Sequence, residues 1–111
     1  MDFSNNKVIV ELENGGIINS LGYFPKDNKN RTEDDYIEAK EVNIAYLYIS
    51  KNFKKQVKIN KNISSYGLKQ IIEKQLDTYI SNGACILAMS LAGFKIDTSD
   101  ELNVHFNLEF K

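Results

Sequence analysis

The side chains of this chain that could do chemistry are few. Cys85 and His105 are its only thiol and its only imidazole. A zinc site built from Cys and His alone takes four ligands, so one chain cannot supply it. A single Cys cannot form an intramolecular disulfide. A thiolate–imidazole pair is the remaining arrangement, but Cys85 lies in the apolar run Ala84–Met89. A free Cys in such a run acts as a small hydrophobe, and nothing around it in sequence marks an activated thiolate. His105 alternates onto the polar side of its segment and is expected to face solvent. There is no G-x-S-x-G, P-loop, paired His or Gly-rich phosphate cradle. The carboxylates gather at one helix start rather than across a cleft. The expectation is a non-enzymatic protein, with no catalytic residues, no metal and no cofactor.

Charge is the second candidate for chemistry. The 111 residues carry 14 Lys+Arg against 15 Asp+Glu, a net charge of −1. That sum excludes a uniform polyelectrolyte, but it hides two opposed segments. Between residues 51 and 74, Lys51, Lys54, Lys55, Lys58, Lys61, Lys69 and Lys74 stand against Glu73 alone, a local charge of +6. Between residues 27 and 41, Asp27, Glu33, Asp34, Asp35, Glu38 and Glu41 stand against Lys29, Arg31 and Lys40, a local charge of −3. A basic strip can bind phosphates. This one is nearly all Lys, and Arg, the better reader of bases, occurs once in the chain, so nucleic-acid contact would be mainly to backbone. The acidic strip, with Glu33, Asp34, Asp35 and Glu38 at its centre, either complements a helix dipole or pairs with a basic partner.

These residues need elements to position them. Lys7–Leu12 is a β-branched run, Glu13-Asn14-Gly15-Gly16 a strong turn signal, and Ile17 to Phe24 a second apolar stretch, so residues 7–24 read as a β-hairpin. Gly22 weakens the second strand or marks a bulge. Residues 25–31 are a polar loop. Thr32 followed by Glu33, Asp34 and Asp35 predicts a helix start, with a helix over 33–51. Residues 56–62 read as a polar connector with a possible extended piece. Ser64 or Ser65 caps a helix over 65–76. Ser81 or Asn82 caps another over 81–92, stopped by Gly93. That last helix is apolar on all sides, which makes it central and buried, and Ala84, Ala88 and Ala92 form a row of small side chains.

The C-terminal Asn103–Phe110 alternates strictly, with Val104, Phe106, Leu108 and Phe110 on one side. It predicts a strand paired with the N-terminal hairpin or with residues 94–96. Its exposed edge could pair across a dimer, so monomer and homodimer both remain. The expected fold is a single α+β domain over 1–111, a small antiparallel sheet packed on two or three helices. Helices 65–76 and 81–92 with their short connection resemble a helix-turn-helix in outline, but the second, which should face a groove, is the apolar one. Lys69, Gln70 and Lys74 on the first are the better candidates. Tyr46, Tyr48, Tyr66 and Tyr79 read as core or rim residues, and surface aromatics suit protein interfaces.

Four stretches carry a resemblance: Ser64-Ser65-Tyr66-Gly67-Leu68-Lys69, then Tyr79-Ile80-Ser81-Asn82-Gly83-Ala84-Cys85-Ile86, then Gly93-Phe94-Lys95, then Leu102-Asn103-Val104-His105-Phe106-Asn107. Together they resemble small bacterial plasmid- and phage-borne proteins of no settled activity. The resemblance spans about residues 60–107. It implies an accessory protein of a mobile element, and by that setting an anti-CRISPR inhibitor whose partner is a host nuclease or CRISPR effector. A small nucleic-acid-binding or regulatory protein using the Lys strip is the alternative. The opening MDFSNNKVIVEL lacks the basic start and long apolar core of a signal peptide. No apolar run approaches the roughly 20 residues that span a bilayer. A cytoplasmic protein without membrane contact is expected.

Overall fold

The computed structural model describes residues 7–28, 35–99 and 102–111. In chain order the elements are β1 (Lys7–Val8), β2 (Val10–Glu11), β3 (Ile17–Asn19), β4 (Gly22–Phe24), β5 (Ile37–Glu38), α1 (Ala39–Asn52), β6 (Phe53–Asn60), α2 (Ser65–Leu76), α3 (Asn82–Leu91), β7 (Ile96–Asp97) and β8 (His105–Phe110). The fold is α+β, as the pattern of elements predicts. The strands form three small antiparallel sheets, ordered β1-β5, β2-β3-β4 and β6-β8-β7.

The N-terminal part is a meander, not one hairpin. Asn14 sets its first turn by accepting the Gly16 N–H on Oδ1 at 2.8 Å, while the Leu12 N–H donates to the Gly16 carbonyl. Asn19 sets the second turn by accepting the N–H groups of Leu21 and Gly22 on its own Oδ1. Gly22 has φ +141, and a Cβ there would lie 2.7 Å from Asn82 Nδ2 and 2.9 Å from the Leu102 carbonyl carbon. Gly22 therefore marks a close approach of backbone. The Tyr23–Leu102 bridge at that point joins the meander to the C-terminal segment.

Helix α1 starts later than its acidic residues suggest. Ile37 and Glu38 pair with Val8 and Lys7 instead of entering the helix. Ile37 is fully buried, so a tertiary contact overrides local helix preference there. Glu38 stands at the N-cap with extended backbone and makes no side-chain cap bond. The proposed cap Thr32 lies outside the described residues. The other two helices begin at the predicted caps. Ser64 Oγ accepts the Gly67 N–H, and Ser81 Oγ accepts the Ala84 N–H at 3.1 Å. Helix α3 ends in a Schellman motif: the Phe94 N–H reaches the Met89 carbonyl and the Gly93 N–H the Ser90 carbonyl. Because Ser81 is buried, Ser81→Ala is expected to cost about 1–2 kcal/mol, read as a lowered denaturant midpoint.

Ala84, Cys85, Ile86, Ala88 and Met89 of α3 are buried, whereas Leu87 is half-buried and Leu91 is 50% exposed, so the helix is buried along most of its length but not on all sides. Val42, Ala45 and Ile49 of α1, and Leu68 and Ile72 of α2, join the same core, together with Val104, Phe106 and Leu108. The small side chains of α3 leave room for these neighbours.

The C-terminal sheet corrects two expectations. The extended piece read within residues 56–62 is present but longer and earlier than a connector would have it: β6 runs Phe53–Asn60 and pairs with β8. Only Phe53 of β6 is buried, so the strand has little apolar alternation to reveal it. Of the two partners expected for the C-terminal strand, the 94–96 region is the one that pairs, as β7, with Ile96 opposite Phe106. The N-terminal strands form sheets of their own. With β6 on one side and β7 on the other, β8 is the central strand, and the edge that could pair across a dimer is occupied by β7 at His105 and Phe106.

Candidate interaction surface

The seven lysines of the basic strip do not share one surface. Lys51 lies in the last turn of α1, Lys54, Lys55 and Lys58 lie on β6, Lys61 sits in the following turn, and all five are exposed. Lys74 is exposed on α2, a separate element. Two of the six have acidic partners. Lys54 pairs across strands with Glu109 at 3.9 Å, and Lys61 contacts Asp97. Lys61, with Ser99, holds the Asp97 carboxyl well below the ordinary carboxylate range. Lys55 places its ammonium 5.5 Å from the centre of the Phe94 ring. A Cβ on Gly93, just past the end of α3, would lie 3.1 Å from that ammonium. It thus supplies the positive charge that the last turn of α3 lacks.

Lys69 must be removed from the candidate binding residues. It is only 9% exposed. Its ammonium lies 5.1 Å from the Tyr66 ring centre and 5.2 Å from that of Tyr79, and it pairs with Glu73 at 3.3 Å. Glu73 also accepts the Ile80 N–H at 3.1 Å. One cation between two rings and a carboxylate therefore fastens α2 to the segment leading into α3. The aromatic rims remain outside, with Tyr79 65% exposed. The helix-turn-helix outline fails on the same ground, because α3 is buried in the core and Lys69 is committed internally. Gln70 and Lys74 are exposed.

The acidic strip is also dispersed. Glu33 and Asp34 lie outside the described residues. Asp35 and Glu38 are half-buried and precede α1. Glu41 alone is in the first turn of α1, and it is buried, accepting the Ser81 N–H on Oε1 at 2.9 Å. Periodicity places Glu41 on the apolar stripe, and that misplaced charge is the signal of its structural bond.

Burial pushes the Cys85 thiol up from 9.0 to about 12, against the opposing pull of Lys69. The thiol is protonated at neutral pH and is no nucleophile there. In the unfolded chain it ionises above about pH 9 while the folded one holds its proton, so alkali favours unfolding between pH 9 and 12. The stability of the wild type relative to Cys85→Ala is therefore expected to fall across that window, as measured by denaturant titration at each pH. His105, expected in solvent, is half-buried on β8. Among the described residues no cluster of three or more His, Cys, Asp or Glu is placed to hold a metal.

Two asparagines prove structural. Asn107, on the side of β8 expected to be polar and open, is buried because its amide spans the sheet. Its Nδ2 donates to the Gln56 carbonyl of β6, and its Oδ1 accepts the Lys95 N–H at 2.7 Å. It fills the register shift between Lys55 and Asn60, where β6 leaves the ladder. Asn82 Nδ2 lies 3.0 Å from both the Leu21 and Leu102 carbonyls and 3.1 Å from Asn103 Oδ1.

Clefts open on the outside of the described residues. One, of about 370 Å³, lies at the start of β6 and is lined by Phe53, Ala92, Phe94, Lys54, Lys55 and Lys111. Another, of about 560 Å³, lies between α1 and α2 and is lined by Ile44, Leu47, Tyr48 and Leu76. Among the described residues no helix is long and apolar enough to cross a membrane. No known protein family matches the chain, and no curated protein or solved structure is significantly similar to it.

Proposed function

We propose that this chain is a non-enzymatic interaction protein of a mobile element that inhibits a host defence nuclease, such as a CRISPR effector, by binding it. The observation that carries the reading is the division of its polar groups. Glu41, Glu73, Lys69, Asn82 and Asn107 are bonded inside the fold, and Cys85 is held as a buried thiol. What faces outward is a surface suited to contact: lysines along β6 and large apolar side chains at Leu47, Val57, Tyr66 and Tyr79. Aromatic and apolar side chains framed by charge are the composition of protein interfaces. The mobile-element setting and the nuclease rest on the sequence resemblance. Inhibition would follow from covering a nucleic-acid channel of the nuclease or locking one of its conformations.

The test is tagged capture from a host that carries the nuclease, with nucleic acid digested before elution. The expected result is the defence nuclease recovered in stoichiometric amount. Its absence, with inhibition also absent, would overturn the reading.

A second reading, a protein bound to the phosphate backbone of nucleic acid, is favoured by one observation: Lys54, Lys55 and Lys58 are exposed on a single strand. It requires a mobility shift with DNA or RNA that weakens steeply as salt rises. No shift at low salt ends it.

A further inference from the structure

We infer that the open edge of β6 is the docking surface for an acidic, partly apolar segment of a partner protein. The inference rests on the interaction-protein reading above and names the chemistry of the partner. Strand β6 is an outer strand of its sheet, paired only with β8. No Asp or Glu occurs in the sequence between Glu41 and Glu73, so the strand and its flanks carry positive charge alone. Lys54 is matched by Glu109, whereas Lys55 and Lys58 form no ion pair among the described residues. Between these two stands Val57, 94% exposed, an apolar side chain held in water at the middle of the strand. At the start of the strand, the cleft of about 370 Å³ is lined by Phe94, Lys54, Lys55 and Lys111, with the Lys55 ammonium 5.5 Å from the Phe94 ring centre.

Three occupants can be weighed against this surface. A second copy of the chain, pairing edge to edge, would set lysines against lysines, a repulsive arrangement that natural edge strands use to prevent self-association. A phosphate backbone would engage the ammonium groups but would leave Val57 and the cleft wall unused. A segment with carboxylates spaced around an apolar side chain uses all of them. The carboxylates meet Lys55 and Lys58, which have no ion-pair partner among the described residues, and the apolar side chain covers Val57 or enters the cleft. The bulge between Lys55 and Asn60, with the Gln56 amide donating to the Lys58 carbonyl, interrupts the strand's own ladder. Side-chain contacts rather than continued sheet pairing should therefore give most of the affinity.

The test is fluorescence anisotropy with a labelled short peptide of Glu and Asp around a central Leu. The same peptide with Lys in place of the acids, and a labelled single-stranded DNA, serve as competing probes. The expected result is binding of the acidic peptide, weakened at least about tenfold by K55E/K58E and by less than about twofold by K74E on α2. Lys58 and Lys74 are exposed, so K58E and K74E should keep the wild-type circular dichroism and melting curve. K55E also removes the ammonium beside Phe94 and the end of α3, so its melting temperature should fall slightly and K58E alone must also weaken binding. Preference for DNA over the acidic peptide, equal loss with K74E, or no peptide binding at all would overturn the inference. A chain that blocks the nuclease yet fails in this assay leaves the interaction reading standing and removes only this surface. A chain that binds the peptide but not the nuclease does the reverse.

Discussion

Replacing Gly83 with Ala is expected to unfold the protein or to cost at least about 3 kcal/mol. Intrinsic preference predicts the opposite sign, because Gly to Ala inside a helix normally stabilises by about 0.5–1 kcal/mol. The difference lies in what touches α3. A Cβ on Gly83 would overlap the Asn19 carbonyl oxygen and lie 2.6 Å from its carbon, with Ile37 Cδ1 at 3.2 Å. Those atoms cannot easily withdraw. The Gly83 N–H donates to the Ser20 carbonyl at 3.2 Å, and Asn19 holds the β3–β4 turn through its own side chain. The first turn of α3 is therefore pressed against backbone, not against a flexible side chain. Urea titration of Gly83→Ala decides the matter. A raised midpoint would mean that the meander does not pack on α3 as described.

Phe106→Ala is expected to cost about 3–5 kcal/mol. Phe106 is fully buried on the central strand β8, with Asn60 of β6 on one side and Ile96 of β7 on the other. Its loss leaves a void where the C-terminal sheet meets the helical core. Phe110, on the same strand, is 46% exposed and meets the Phe53 ring edge-on at 5.1 Å between centres. Phe110→Ala should cost less than half as much. Denaturant midpoints of the two variants provide the comparison, and equal losses would contradict the central position of β8.

The parts of this fold that were legible in the sequence are those governed by local chemistry. Ser64 and Ser81 cap the second and third helices, Gly93 stops the third, and the turn at Asn14 bonds as its composition demands. The burial of Ala84, Cys85, Ile86, Ala88 and Met89 in the third helix also follows from its composition, though Leu91 stays 50% exposed. The parts that failed depend on contacts made at a distance. Ile37 and Glu38 leave the first helix to pair with residues 7 and 8. Strand β6 hides because an edge strand with one buried side chain has almost no period to detect. Asn107 contradicts clean alternation because its amide completes hydrogen bonds to β6 and to Lys95, the residue before β7.

The candidate site was legible to a similar degree. Counting charge located Lys54, Lys55 and Lys58, which the structure gathers on one exposed strand. Counting charge also included Lys69, because a lysine at helical spacing looks the same in sequence whether it meets water or lies between two tyrosines. Val57 and Lys111 were missed. A lone Val in a polar run has no local signal of exposure, and Lys111 joins the cleft through the packing of β8 beside β6.

The central proposal is that this chain acts on a defence nuclease by binding it. Its most direct test is cleavage of target DNA by a purified CRISPR effector, loaded with its guide, as the chain is titrated against it. The account predicts that cleavage falls with the molar ratio and stops near stoichiometric addition, with effector and DNA both recovered intact. Unchanged cleavage at a large excess of folded chain, across the effectors of its host, would contradict it.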